Sequence, residues 1–208
     1  MKPKLMLLSL ILLTGCASTQ LVGTWKNPDI VLFDAYKVLV VGMSQEDEVR
    51  IEFETQLTKK LEQTGVEAMR SIDLFDVEFT TSEKSEEELS EVEQQLLDKG
   101  FDAILFTKVV GTENRRTFRE RMNKFNNLYT RFSTDYLGHQ DMYYDPEYYE
   151  TFNLYHIETA LYCICVDKER ELIWKGDFEV TEPNKVNKTI DTYIRLMTTA
   201  MQEEDVIF

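Results

Sequence analysis

Cysteine, histidine and proline are scarce in this sequence: three, two and four residues among 208. Three cysteines exclude a scaffold framed by disulfides. His139 and His156 show no ligand spacing with each other or with Cys163 and Cys165, so no metal site is expected. A Gly-rich phosphate loop, a Gly-x-Ser-x-Gly elbow and a His-Glu-x-x-His helix are all absent, which removes the commonest signatures of cofactor binding and catalysis. No apolar run approaches the ~20 residues of a transmembrane helix. Positive charge is also short, at 23 Lys and Arg against 38 Asp and Glu, for a formal net charge of −15. A surface this acidic is unsuited to a nucleic-acid backbone, whose affinity comes from Lys and Arg neutralising phosphates. Anionic lipid headgroups are disfavoured for the same reason.

The longest apolar run is Leu5 to Leu13, preceded by Lys2 and Lys4 and followed by Thr14-Gly15-Cys16. A basic start, a short apolar stretch and small residues before a cysteine describe a secretory signal. Leu13-Thr14-Gly15-Cys16 resembles the bacterial lipobox. That resemblance implies cleavage after residue 15, a diacylglyceryl thioether on Cys16 and an acyl chain on its amine. Two or more chains hold a protein stably to a bilayer, where one does so only marginally. Ala17 is not the aspartate that often retains such proteins at the inner membrane, and no acidic cluster follows Cys16. The expected location is the outer membrane, lipid-anchored and facing the periplasm. Without residues 1–15 the charge becomes −17, because Lys2 and Lys4 are lost and no acid is.

The remaining 193 residues suit one domain, and a hydrophobic fraction of 43% suits a packed core. Residues 16–36 read as the lipidated cysteine, a tether and a lead-in segment, within which Thr24-Trp25-Lys26 can add a short edge strand. At roughly 3.3–3.6 Å per residue such a tether reaches about 70 Å. The domain then runs from residue 37 to 208. Lys37 to Met43 is a continuous apolar run that fits a strand buried on both faces. A helix follows with a stripe of Val49, Phe53, Leu57 and Leu61, capped by Ser44 and closed by Gly65. Val66 to Arg70 suits an edge strand. Ser85 and Glu88 form a capping box for a helix with Leu89, Val92, Leu96 and Leu97 on its inner stripe. Asp102 to Val110 makes a third strand.

Residues 112–150 show no sustained period and read as an insertion. Arg115 and Arg116 lie in its first half, and Tyr136, Tyr143, Tyr144, Tyr148 and Tyr149 follow. Rigid rings with polar tips beside charged groups suit a protein contact surface, and they equally suit a cover that packs some rings on the sheet edge. Beyond it, Phe152 to Val166 and Leu172 to Val180 alternate as an antiparallel hairpin. The second of these strands reads as half-buried, with Lys175, Asp177 and Glu179 outward. Cys163 and Cys165 share one face of the first and read as small core hydrophobes. Arg50 with Glu46, Glu52 and Glu54 reads as an exposed ion-pair network on a helix. A final helix carries Val186, Ile190, Tyr193, Ile194, Met197 and Met201 on one stripe.

Several of these stretches resemble a family of uncharacterised lipoproteins of Gram-negative bacteria: the lipobox, Thr24-Trp25-Lys26-Asn27-Pro28, Lys37 to Gly42, Arg50, Gly65-Val66-Glu67-Ala68 leading to Ser71, Phe101 to Leu105, the tyrosine-rich insertion, and Val166-Asp167 to Ile173-Trp174. The family is similar in fold to the amino-terminal domain of TolB and to the lipoprotein CsgG. The resemblance implies a single-domain α/β fold with a mixed sheet of about five strands, helices on both faces and the fourth strand antiparallel. It implies no active site. The expected role is a non-enzymatic binding or envelope-assembly module, its contacts being the bilayer through acylated Cys16 and an envelope protein. The alternative is a small-ligand-binding domain with a pocket at the carboxyl edge of the sheet, where such folds place ligands.

Overall fold

The computed structural model describes residues 19–75, 79–80, 82–112, 131–144, 154–164, 171–180 and 186–207. Six strands form one sheet: β1 (Thr19–Lys26), β2 (Lys37–Met43), β3 (Glu67–Arg70), β4 (Ala103–Thr112), β5 (Leu154–Cys163) and β6 (Glu171–Val180). Their order is β1-β6-β5-β4-β2-β3. β2 runs parallel to β3 and β4, whereas β5 and β1 are antiparallel to their neighbours. The α/β class, the mixed sheet and the antiparallel fourth predicted strand are as expected.

The sixth strand is β1, which contains the short edge strand expected at Thr24-Trp25-Lys26 and extends it back to Thr19. Its eight residues have no regular apolar alternation, because a bulge between Leu21 and Gly23 shifts the register against β6. Its partner lies some 150 residues along the chain, so local pattern does not reveal the pairing. The consequence is mechanical. The expected tether of residues 17–36 is largely consumed by the sheet, and only residues 17 and 18 separate Cys16 from Thr19.

Among the described residues the helices accompanying the strands include α1 (Asp47–Glu62), α2 (Ser71–Leu74), α3 (Glu86–Asp98), α4 (Phe132–His139), α5 (Asp141–Tyr144) and α6 (Val186–Glu203). The α1 N-cap is Glu46, with no side-chain cap; the Ser44 hydroxyl instead accepts from the Glu46 N–H at 3.2 Å. The capping box at α3 forms as the sequence predicts, Ser85 accepting from the Glu88 N–H and Glu88 from the Ser85 N–H. That helix ends at Gly100, whose φ of +81° suits glycine alone among common residues. α4 and α5 fall inside the stretch expected to be an aperiodic insertion. Eight and four residues are too short to establish a helical period against flanking loops.

Two apolar layers sandwich the sheet. One joins β2, β4, β5 and β6 to α1 and α6 through Leu57, Leu61, Trp174, Phe178, Met197 and Met201. The other joins the opposite face of β2, β4 and β5 to α3 and α4 through Leu39, Leu89, Leu96, Phe106, Phe132 and Tyr162. The C-terminus is stitched to the first layer by a bridge between Phe33 and Val206. Glu204 fastens β1 and β6 there, accepting from the Thr24 hydroxyl and, at 2.8 Å, from the Trp174 indole N–H.

Cys163 is disulfide-bonded, which corrects its reading as a free core residue. β5 ends at Cys163, and Cys165 lies outside the described residues. The disulfide partner of Cys163 also lies outside them. Gly42, near the end of β2, marks a close approach: a Cβ there meets Phe53 Cδ1 at 2.9 Å. Replacing Gly42 with Ala should overpack this contact and cost about 1–3 kcal/mol. Urea unfolding checks it, and an unchanged midpoint would contradict the packing described.

Candidate functional site

Three polar or concave features lie near the carboxyl ends of β2 and β4. The first is a clasp. Glu54 on α1 is completely buried and its carboxylate is surrounded by donors. Oε1 accepts from the Gly42 N–H at 2.9 Å, the Ser71 hydroxyl at 2.7 Å and Arg50 Nε at 3.2 Å. Oε2 accepts from the Ile72 N–H at 3.2 Å. Arg50 Nη2 donates to Ser71 Oγ at 2.9 Å, and its guanidinium lies 5.5 Å from the Tyr143 ring centroid. Tyr143 in turn donates to the Gly42 carbonyl at 3.3 Å.

The expected exposed network is therefore wrong for Arg50 and Glu54, which are 8% and 0% exposed. An (i, i+4) acid-base pair has the same spacing on either face of a helix, and only the fold decides which face is inside. Chemically the clasp is saturated. A carboxylate that accepts four hydrogen bonds and is completely buried is out of a substrate's reach, and its work is to lock α1, β2, α2 and α5 together.

The second feature is a buried charge row. Lys108, Glu158 and Asp177 stand opposite one another on β4, β5 and β6. Lys108 contacts Asp135 of α4 and Glu158; Lys175 contacts Glu158 and lies 3.9 Å from Asp177. Tyr162 donates to Asp135 Oδ2 at 2.6 Å, and His139 Nδ1 is 3.0 Å from Asp135 Oδ1. Burial alone would raise the Asp135 carboxyl, but the Lys108 charge and the neighbouring donors hold it well below its usual range. Burial likewise opposes the Lys108 ammonium, and Asp135 and Glu158 together outweigh it, raising its pKa. Asp177 responds in the other direction. Burial, with Glu158 nearby, outweighs the attraction of Lys175 and Lys108 and pushes it up to about 7.

This row corrects the reading of β6 as half-buried. Lys175, Asp177 and Glu179 are 7%, 2% and 5% exposed, because β6 is an interior strand and not an edge. Their polar alternation imitates a solvated face while answering charges on β4, β5 and α4.

The third feature is a cleft of about 230 Å³, lined by residues of the α1 approach, the ends of β4, β5 and β6, and the start of α6. Its walls include Val49, Val109, Ile157, Val180, Val186 and Ile190, and its polar rim includes Ser44 and Glu46. Val186 heads the apolar stripe of α6 and yet is 41% exposed. It meets open space where the rest of the stripe meets the core. The carboxyl edge of β4 is the location that the alternative reading assigns to a ligand.

The residues singled out in the insertion divide. Tyr136 on α4 is 3% exposed and packs with Phe106 and Phe132 at 6.2 and 5.8 Å between centroids, so it belongs to the core and not to a contact surface. Tyr143 is half-buried in the clasp. Tyr144 ends α5. Arg115, Arg116, Tyr148, Tyr149 and the lipidation candidate Cys16 lie outside the described residues. Among the described residues no group of three or more His, Cys, Asp or Glu could hold a metal, and no helix is long and apolar enough to cross a membrane.

No protein-family model matches the chain, and no curated protein matches it. Among solved structures it is similar to a chain of the PelC dodecamer from Paraburkholderia phytofirmans. The identity is 6%, the TM-score is 0.44, and the match covers 90% of this chain and 98% of that one.

The charge row gives a pH prediction. Folded Asp177 keeps its proton up to about pH 7, whereas an unfolded aspartate loses it above about pH 4. The folded state thus holds the extra proton in between, and this contribution to stability declines as pH rises through that window and is gone above it. Asp177→Asn should remove the decline. Comparing urea midpoints from pH 5 to 8 should show the variant overtaking the wild type as pH rises; a constant difference would contradict the placement of Asp177.

Proposed function

We propose that this chain is a lipid-anchored envelope lipoprotein whose domain binds a ligand non-covalently in the cleft at the carboxyl edge of the sheet. The observation that carries the reading is the cleft itself, an open apolar concavity bounded by α6, β4, β5 and β6 where doubly wound sheets bind ligands. The saturated Glu54 carboxylate and the lysine-paired Glu158 support binding over hydrolysis, since an acid-base pair needs a carboxyl that a substrate can reach. The lipobox-like tetrad supports acylation of Cys16 and residence at the outer membrane, facing the periplasm. A disulfide at Cys163 favours an oxidising compartment. With Cys16 acylated, Cys165 is the remaining partner for it. Membership of the uncharacterised lipoprotein family, with its likeness to TolB and CsgG, is part of the same proposal, as is an envelope protein as a further contact.

A photo-crosslinking residue at Val186 should capture a bound molecule in cells, while one at Glu91, exposed on α3 across the sheet, should not. Cys16→Ala should release the protein from the membrane fraction. Equal capture at both positions would count against the cleft, and a Cys16→Ala protein that still sedimented with membranes would count against the anchor.

A further inference from the structure

The cleft and the expected anchor share one edge of the molecule. Thr19, the first residue of β1, stands directly opposite Val180 of β6, and Val180 lines the cleft. Cys16 is three residues upstream, at most about 10 Å from Thr19 when the chain is fully extended. Lys37, which begins β2, and Glu171, which begins β6, lie at the far edge of the sheet. A bilayer holding Cys16 therefore lies beside the cleft and away from that far edge.

Shape and charge narrow the occupant. The cleft has a volume of about 230 Å³. That is room for part of one hydrocarbon chain and not for a folded segment. Val49, Val109, Ile157, Val180, Val186 and Ile190 offer hydrocarbon on several sides. Among the described residues, the charged residue lining the cleft is Glu46, exposed at the rim. An anionic headgroup meets repulsion from Glu46 and from a chain of net charge −15. A headgroup ending in an ammonium meets attraction. We propose, building on the binding reading above, that the cleft takes one acyl chain of a phospholipid whose headgroup carries a terminal ammonium, drawn from the membrane that holds the anchor.

The test uses the mature chain from residue 16 with Cys16→Ser, so that no attached lipid competes. Calorimetric titration with lysophosphatidylethanolamines of 8, 12 and 16 carbons, below their micelle thresholds, should give saturable one-to-one binding. Affinity should rise with chain length and level off once the cleft is filled. Val186→Asp, at the exposed rim, should weaken binding by about tenfold or more without changing the circular dichroism spectrum. Val109→Trp should block the cleft from within. Lysophosphatidylglycerol should bind several-fold more weakly, and Glu46→Gln should erase that preference. Equal binding of both headgroups overturns the ammonium assignment. Binding that ignores Val186→Asp overturns the site. Probe binding by the Cys16→Ser chain but not by the lipidated protein in detergent shows that the attached acyl chain is the occupant, and overturns a membrane lipid. If no lipid probe binds while a crosslinker at Val186 captures another molecule, the acyl inference falls and the binding cleft stands; if neither occurs, both fall.

Discussion

If Cys16 carries the proposed lipid anchor, the antiparallel pairing of β1 with β6 decides how the domain is oriented. Without it, the residues after Cys16 would form a tether long enough to let the domain face any direction. With it, the chain enters the sheet three residues after Cys16, and the entry point lies opposite Val180. The pairing is held at several points besides the ladder. Asn27 N–H donates to the Ile173 carbonyl at 2.9 Å, Asn27 Nδ2 donates to Glu171 Oε2 at 3.2 Å, and Glu204 joins β1 to Trp174. An edge strand fixed in this way converts a flexible attachment into a defined one.

The same pairing makes β6 an interior strand, and from that follows the buried charge row. Lysines and carboxylates removed from water are costly unless each finds partners. Here Lys108 lies between Asp135 and Glu158, and Lys175 answers Glu158. Burial pushes Asp177 up to about 7, so below that pH it holds a proton instead of a charge. The polar layer thus approaches neutrality without solvent. The opposite layer is apolar from Trp174 to Met201, and it opens only where α6 begins, at Val186. That asymmetry leaves an apolar cleft at the carboxyl edge of β4, beside a smaller apolar pocket that Phe53, Thr107 and Tyr193 help to line.

Much of the scaffold was legible in the sequence because its signals are local. Lys37 to Met43 is apolar on both faces, Ser85 and Glu88 have capping-box spacing, and Gly65 and Gly100 stop their helices with positive φ. What escaped depends on distant partners. β1 has an irregular pattern and pairs with a strand far along the chain. Arg50 and Glu54 have helix-surface spacing, but Gly42, Ser71 and Ile72 close around them only in the folded state. Lys175, Asp177 and Glu179 alternate as a solvated face does, and their burial follows from neighbours on both sides. Of the cleft, the sequence held one trace: Val186 starts an apolar stripe at a position that the core does not cover.

On the proposed anchoring, the cleft edge of the domain faces the bilayer. Nitroxide labels at Val186 and at Tyr36, which is 78% exposed at the opposite edge, would report it in the lipidated protein reconstituted into liposomes. Collision with membrane-soluble oxygen and with a water-soluble nickel chelate should differ in opposite senses at the two sites. The account predicts more oxygen and less nickel contact at Val186 than at Tyr36. Equal values at the two labels, or the reverse order, would contradict it.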